Sequence, residues 1–269
     1  MITMQNSKFL TVAKDIAKES GRLLLEYYGN IDSFEYKGVG DVVTEADKES
    51  EKLINNRLKT EFPFFSILGE EYGLLDLQSD YCWATDPLDG TSNYASKLPI
   101  FSVSIALLYK GSPIIGVVYD PNQDFMYCAA KSEGAFLNEQ RIQVSNRTQL
   151  ESISLFGAAT DIIETLPSYL SKVGKVRSLG SAAIHLSNVA AGYFDGCLDI
   201  NTKLWDVAAG ALILQEAGGT FTDHSGEPIF PLEKSSPAYH GNRIPFLATN
   251  GKIHQQTLQL IATEKERKR

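Results

Sequence analysis

Apolar positions recur with a helical period near the start of the chain. Over residues 7–28, Phe9, Ala13, Ile16, Ala17, Ser20, Leu24, Tyr27 and Tyr28 fall on one face, which predicts an amphipathic helix stopped by Gly29-Asn30. A second helix is expected over residues 44–61, with Ile54 and Leu58 inward and Phe62-Pro63 ending it. The period then drops to two. Residues 81–85 have the aromatic and β-branched content of a strand. Over 100–109 the large Phe101, Val103, Ile105, Leu107 and Tyr109 alternate with Ser102, Ser104 and Ala106. Turn residues at Lys110-Gly111-Ser112-Pro113 and Asp120-Pro121-Asn122-Gln123 link strands at 114–119 and 125–130, an antiparallel meander.

Beyond about residue 148 the rhythm becomes strand, helix, strand, helix. Strands at 153–158, 176–179 and 197–200 alternate with helices running through Leu170, over 181–191 and over 206–217. This predicts an α+β half, residues 1–147, packed on an α/β half, residues 148–269. No internal repeat or low-complexity tract interrupts either half.

Candidate chemistry gathers where the strand at 81–85 runs into Asp86-Pro87-Leu88-Asp89-Gly90-Thr91-Ser92-Asn93. Pro87 biases Asp86 to an extended conformation, so Asp86 is expected at the strand end. Asp89-Gly90 is turn chemistry, in which glycine lets backbone approach a ligand closely. Three further segments carry acids: Ile67-Leu68-Gly69-Glu70-Glu71, Leu204-Trp205-Asp206-Val207-Ala208-Ala209-Gly210, and Lys37-Gly38-Val39-Gly40-Asp41-Val42-Val43-Thr44-Glu45-Ala46-Asp47. Each is ordinary when taken singly. Glu70 and Glu71 suit a solvated loop, Asp206 a helix N-cap, and Asp47 a capping box closed with Thr44. Together they supply Glu70, Asp86, Asp89 and Asp206, all hard oxygen donors suited to Mg²⁺ rather than zinc. His185, His224, His240 and His254 are scattered, and no serine-hydrolase elbow or Walker loop is present.

The 269 residues, 43% hydrophobic and 22% charged, are enough for a sizeable core. A net charge of −8 argues against a nucleic-acid or anionic-membrane partner. Cys82, Cys128 and Cys197 sit apart in apolar runs, the pattern of buried free thiols. With no signal-peptide or membrane-length apolar stretch, a cytoplasmic location is the default expectation.

Gly-Glu-Glu, Asp-Pro-Leu-Asp-Gly-Thr and Trp-Asp-Val-Ala-Ala-Gly, in that order between Lys37 and about Gly219, resemble the inositol monophosphatase family. That family sits in the magnesium-dependent, lithium-sensitive phosphatase superfamily that includes fructose-1,6-bisphosphatases. The resemblance implies a layered αβαβα sandwich, a homodimer, and two or three Mg²⁺ per subunit. It implies that Glu70, Asp86 and the Leu88 carbonyl hold one ion, and Asp86, Asp89 and Asp206 a second. Thr91 polarised by Asp47 would orient the attacking water, Gly90 and Thr91 would grip the phosphate, and Lys37 would be a mobile-loop lysine near the metals. Arg177, Ala182, Asp199 and Asp206 fall where the family approaches the alcohol. Asp199 stands where many members carry glutamate, and Ala95-Ser96-Lys97-Leu98-Pro99 replaces the frequent His-Gly-Phe-Pro. The implied substrate is an inositol monophosphate or a similar small polyol or sugar phosphate. Alternatives are a fructose-1,6-bisphosphate, a 3′-phosphoadenosine phosphate or histidinol phosphate as substrate, or a non-catalytic protein-binding regulator on the same fold.

Overall fold

The computed structural model describes residues 2–29, 35–38 and 41–267. The first half contains α1 (Ile2–Tyr27), the hairpin β1 (Glu35–Gly38) and β2 (Asp41–Val43), α2 (Glu45–Glu61), β3 (Ser66–Gly69) and β4 (Gly73–Leu75). It continues with β5 (Tyr81–Asp89), α3 (Thr91–Ala95), β6 (Ser102–Tyr109), β7 (Ser112–Asp120), β8 (Phe125–Ala130), β9 (Gly134–Leu137) and β10 (Gln140–Arg141). The second half contains β11 (Leu155–Ala158), α4 (Ile162–Thr165), α5 (Pro167–Leu170), β12 (Lys175–Arg177), α6 (Ala182–Ala190) and β13 (Gly196–Asp199). It ends with α7 (Leu204–Glu216), β14 (Thr220–Thr222), β15 (Phe246–Thr249) and α8 (His254–Arg267).

Eight strands form one sheet in the order β10-β9-β8-β7-β6-β5-β3-β4, and five form another in the order β12-β11-β13-β15-β14. Helices make the other layers. Phe9 and Leu24 of α1 and Ile54 of α2 pack with Trp83, Ile105 and Val117 on the outer face of the eight-stranded sheet. Leu186 of α6 and Val207 and Leu212 of α7 lie in one core with Leu68, Ala106 and Val118 of that sheet and Phe246 of the second. Ile162, Tyr169 and Ile261 cover the far face with Phe156 and Leu247. The result is an αβαβα sandwich. The alternation in β6 explains the order of its layers: Ile105 and Leu107 face α1 and α2, whereas small Ala106 faces α7. Gly116, paired with Ala106, completes the smooth patch, and a Cβ there would meet the Ala209 carbonyl of α7 at 2.6 Å.

Two expected boundaries move for reasons of proline chemistry. The helix expected to run through Leu170 is split into α4 and α5, because Pro167 opens a new helical turn. β5 does not stop at Asp86 but passes through Pro87 to Asp89. Its register with β6 shifts there: Asp86 pairs with Ser104 and Asp89 with Ser102, three residues against two. Residues three apart on a regular strand face opposite sides. The bulge restores Asp86 and Asp89 to one side of the sheet.

Candidate active site

Asp86 and Leu88 are buried at the end of β5, and Gly90 turns the chain out of it with φ 98°. A Cβ at Gly90 would stand 2.9 Å from the Ile100 carbonyl, so both the conformation and the space call for glycine. Asp47 lies buried in the first turn of α2. Its Oδ2 accepts from the Thr44 amide at 2.8 Å and from the Thr44 hydroxyl, the capping box read in the sequence. Its Oδ1 is 3.1 Å from Thr91 Oγ1, which also lies 3.0 Å from the Leu88 carbonyl. Asp47 therefore caps its helix and engages Thr91 at once. Burial pushes its carboxyl up to about 6 against the Thr44 and Thr91 bonds.

Asp89 is bound across the layers to the start of α6. Ser181 Oγ donates to Asp89 Oδ2, as does the Ala183 amide at 2.7 Å, and the Ala182 amide reaches Oδ1 at 3.3 Å. A carboxylate on helix N-terminal amides is a favourable pairing. Burial nevertheless raises Asp89 to about 6. Asp206 occupies the first turn of α7, with its Oδ2 accepting from the Lys203 amide at 2.7 Å. It is the third helical residue rather than the N-cap. The Trp205 carbonyl beside it accepts from Ser104 Oγ at 2.9 Å, which ties the helix start to β6.

These acids feel one another. Asp86 is held well above the ordinary carboxylate range, first by burial and then by the charges of Glu70, Asp89 and Asp206. Asp206 is raised likewise by burial, then by Asp89 and Glu70. Glu70 comes alongside because β3 runs parallel to β5 with Gly69 opposite Thr85. Among the described residues, no three His, Cys, Asp or Glu side chains already converge on a common point at ligand distance. Instead, Asp86 and Asp206 each give one oxygen to a nearby amide, and Asp89 gives both to α6. As a donor set they fit hard divalent cations: four mutually repelling carboxylates whose charge a cation would offset.

Asp89, Ala182, Asp199 and Asp206 line a common cavity of about 380 Å³ with Thr160, Asp161 and His185. Asp199 Oδ1 accepts from the Ile200 and Asn201 amides at 2.7 and 2.9 Å, and burial raises its carboxyl. His185 Nε2 accepts from the Leu179 amide at 3.0 Å, and burial lowers the ring to about 4, so it is neutral. Arg177 is not among the lining residues. Its guanidinium stands exposed and donates to the Val176 carbonyl at 2.9 Å. The side chain of Lys37 lies outside the described residues. A larger cavity of about 470 Å³ opens beside α2 and β4 and holds none of these acids. Sequence reasoning missed Ser181, Asp161 and Glu51. Ser181 had a signal in its place before an apolar helix, and Glu51 in its position one turn after Asp47.

The chain matches the model of the inositol monophosphatase family over residues 5–266. It is 40% identical over 264 residues to the inositol-1-monophosphatase of Synechocystis, covering 94% of this chain and 88% of that protein. It is 39% identical over 237 residues to a fructose-1,6-bisphosphatase/inositol-1-monophosphatase of Aquifex aeolicus, covering 84% of this chain and 89% of that one. Among solved structures, the inositol monophosphatase from Anabaena superposes with a TM-score of 0.80 at 37% identity, covering 96% of each chain. Motif order, layered sandwich and similarity over residues 5–266 agree: this chain belongs to the inositol monophosphatase family and is a phosphatase.

Proposed function

We propose that the protein hydrolyses the phosphate monoester of inositol or a similar polyol, with Mg²⁺ held by Glu70, Asp86, the Leu88 carbonyl, Asp89 and Asp206. The observation that carries this reading is the acid cluster adjoining the cavity of Asp199. When bound, such ions supply Lewis-acid charge that offsets the phosphate and activates water. The chain's own groups do the rest. Thr91 Oγ1, between Asp47 and the Leu88 carbonyl, orients the attacking water. Asp47 Oδ1, 3.1 Å from Thr91 Oγ1, takes the proton through that hydroxyl. Backbone at Gly90 and Thr91 holds the phosphate, and Asp199 accepts hydroxyls of the alcohol while Ala182 shapes its wall. The phosphorus–alkoxide bond breaks, the leaving alkoxide takes a proton from solvent water, and the phosphate carries one oxygen from the attacking water.

The cavity also bears on substrate choice. Among the described residues its lining includes four aspartates, Asp89, Asp161, Asp199 and Asp206, and no lysine or arginine. A second phosphate, as in a sugar bisphosphate, would meet carboxylates there rather than cations. A polyhydroxylated neutral alcohol meets acceptors instead. The reading extends to a cytoplasmic homodimer, checked by light scattering and cell fractionation; among the described residues, no helix is long and apolar enough to cross a membrane.

Phosphate release measured over inositol, sugar, nucleotide and histidinol phosphates with Mg²⁺ tests the proposal. Inositol monophosphate is expected to be turned over best, and Asp86→Asn to lower that rate by orders of magnitude while leaving the melting profile intact. Preference for a bisphosphate, or near wild-type turnover by Asp86→Asn at modest Mg²⁺, would overturn it.

A further inference from the structure

Glu51 is a fully buried carboxylate that the chemistry above does not use. It lies in α2 one turn beyond Asp47, so the two project from one side of the helix. Its Oε2 accepts from the Glu71 amide at 2.7 Å and its Oε1 from the Tyr72 amide at 3.0 Å. Asn55 Nδ2 approaches the same Oε1 at 3.5 Å. On the other side, Gly69 presses against it: a Cβ at Gly69 would stand 2.0 Å from Oε1 and 2.5 Å from Cδ. Gly69 is glycine for space, since its φ is not in the left-handed region.

Glu70 is thus bracketed. The residue before it is in contact with the Glu51 carboxylate, and the two residues after it donate their amides to that carboxylate. A carboxylate can serve two amides at once because all its lone pairs are acceptors; a primary amide of the same shape has only one acceptor oxygen. Taking a carboxylate out of water is costly, and such a group persists where it has specific partners. Its two shorter hydrogen bonds here come from the backbone of a single turn, the turn that carries Glu70, and Asn55 of its own helix adds a longer one.

We propose that Glu51 is a positioning residue whose carboxylate fixes the 69–72 turn, aims Glu70 at Asp86, and thereby sets the divalent-cation affinity of the site. The inference rests on the reading of Glu70 as a ligand. α2 then serves the site twice, through Asp47 at Thr91 and through Glu51 at Glu70. Both contacts derive from a single turn of helix.

The test uses the full chain with Glu51→Gln, which keeps shape but loses one acceptor. Mn²⁺ binding to the substrate-free protein, followed by electron paramagnetic resonance, is expected to weaken about tenfold. The Mg²⁺ concentration for half-maximal phosphate release should rise in parallel, while KM for inositol monophosphate at saturating Mg²⁺ stays near wild type and the protein still folds in chelator, with a melting temperature lower by roughly 2–10 °C. Gly69→Ala, which displaces the same carboxylate without removing it, should weaken Mn²⁺ binding in the same way. Unchanged Mn²⁺ affinity in both variants would overturn the proposal, as would a loss of folding in chelator with wild-type affinity in the folded fraction. Glu70→Gln separates the two readings. If it leaves Mn²⁺ binding intact, the ligand reading has failed; if it weakens binding and Glu51→Gln weakens it further by its full amount, the positioning reading has failed.

Discussion

Gly116→Ala adds one methyl group where the eight-stranded sheet touches α7. The added Cβ would meet the Ala209 carbonyl oxygen at 2.6 Å, Ala209 Cα at 3.1 Å and Ala209 C at 3.2 Å, all of them backbone atoms. Neither side can turn away, because β7 is paired on both edges and α7 is buried along its length. Ordinary contact begins near 3.4 Å, so α7 must withdraw by about 0.8 Å. Overpacking of this kind costs about 1–3 kcal/mol. In a chain of this size, that lowers the melting temperature by roughly 2–10 °C. Asp206 lies in the first turn of the same helix, one turn from Ala209, and a misplacement of about 1 Å at a reacting site can cost on the order of a hundredfold in rate. Gly21→Ala is the control. Its Cβ would meet Tyr119 Cε1 at 2.6 Å, a ring edge in the α1-side core of the same strand rather than the α7-side core. Calorimetric melting and phosphate release on both variants decide the matter. Gly116→Ala should lose stability and kcat together, and Gly21→Ala should keep its kcat. Wild-type kcat in a destabilised Gly116→Ala protein would show that α7 placement does not govern the site.

Three further outcomes are expected. Asp199→Ala should lower kcat/KM for a polyol phosphate by about tenfold or more, since buried groups lose a partner worth about 1–3 kcal/mol; equal loss on an aryl phosphate without hydroxyls would contradict the role of Asp199. Li⁺ should inhibit uncompetitively by entering the site of Asp86, Asp89 and Asp206 with product phosphate bound, and purely competitive kinetics would place it elsewhere. His254 is neutral and buried, lowered to about 4 by desolvation, with its ring nitrogens 3.0 Å from the hydroxyls of Thr222 and Thr249. Between about pH 6.5 and 4 the unfolded chain binds a proton there that the folded chain does not, so this residue's share of stability falls on acidification. That share is about 3 kcal/mol, and His254→Gln should flatten the pH dependence of melting by a corresponding amount; an unchanged slope would refute the assignment.

The long periodic segments were readable because burial on one face writes itself into the sequence. α1 was legible from Phe9 to Tyr27, although it begins at Ile2 because its lead-in contains no helix breaker. The meander of β6, β7 and β8 was legible from alternation and turn residues. Short strands such as β9, β10 and β14 carry too few positions to show a period. The acids stood out by residue type and order, and the Thr44 and Thr91 partners of Asp47 were expected, but the partners of Asp89 and Glu51 were not. That Asp89 reaches Ser181 and the α6 amides, and that Glu51 grips the turn after β3, depends on contacts across the fold. Arg177 illustrates the converse: its position in the chain suggests the cavity, yet its side chain folds back on its own strand.

The middle layer has a consequence for how the molecule comes apart. α6 and α7 are the inner wall of both sheets, and neither sheet can shed them without exposing Leu186, Val207 and Leu212 to water. The two halves that the sequence rhythm distinguishes are therefore expected to melt as one unit. Amide protons in β7 and β13 should exchange with solvent through the same opening, at the same free energy and with the same denaturant dependence. Swinging one sheet from the other would part that shared core, so opening the cleft in this way is expected to cost as much as melting it.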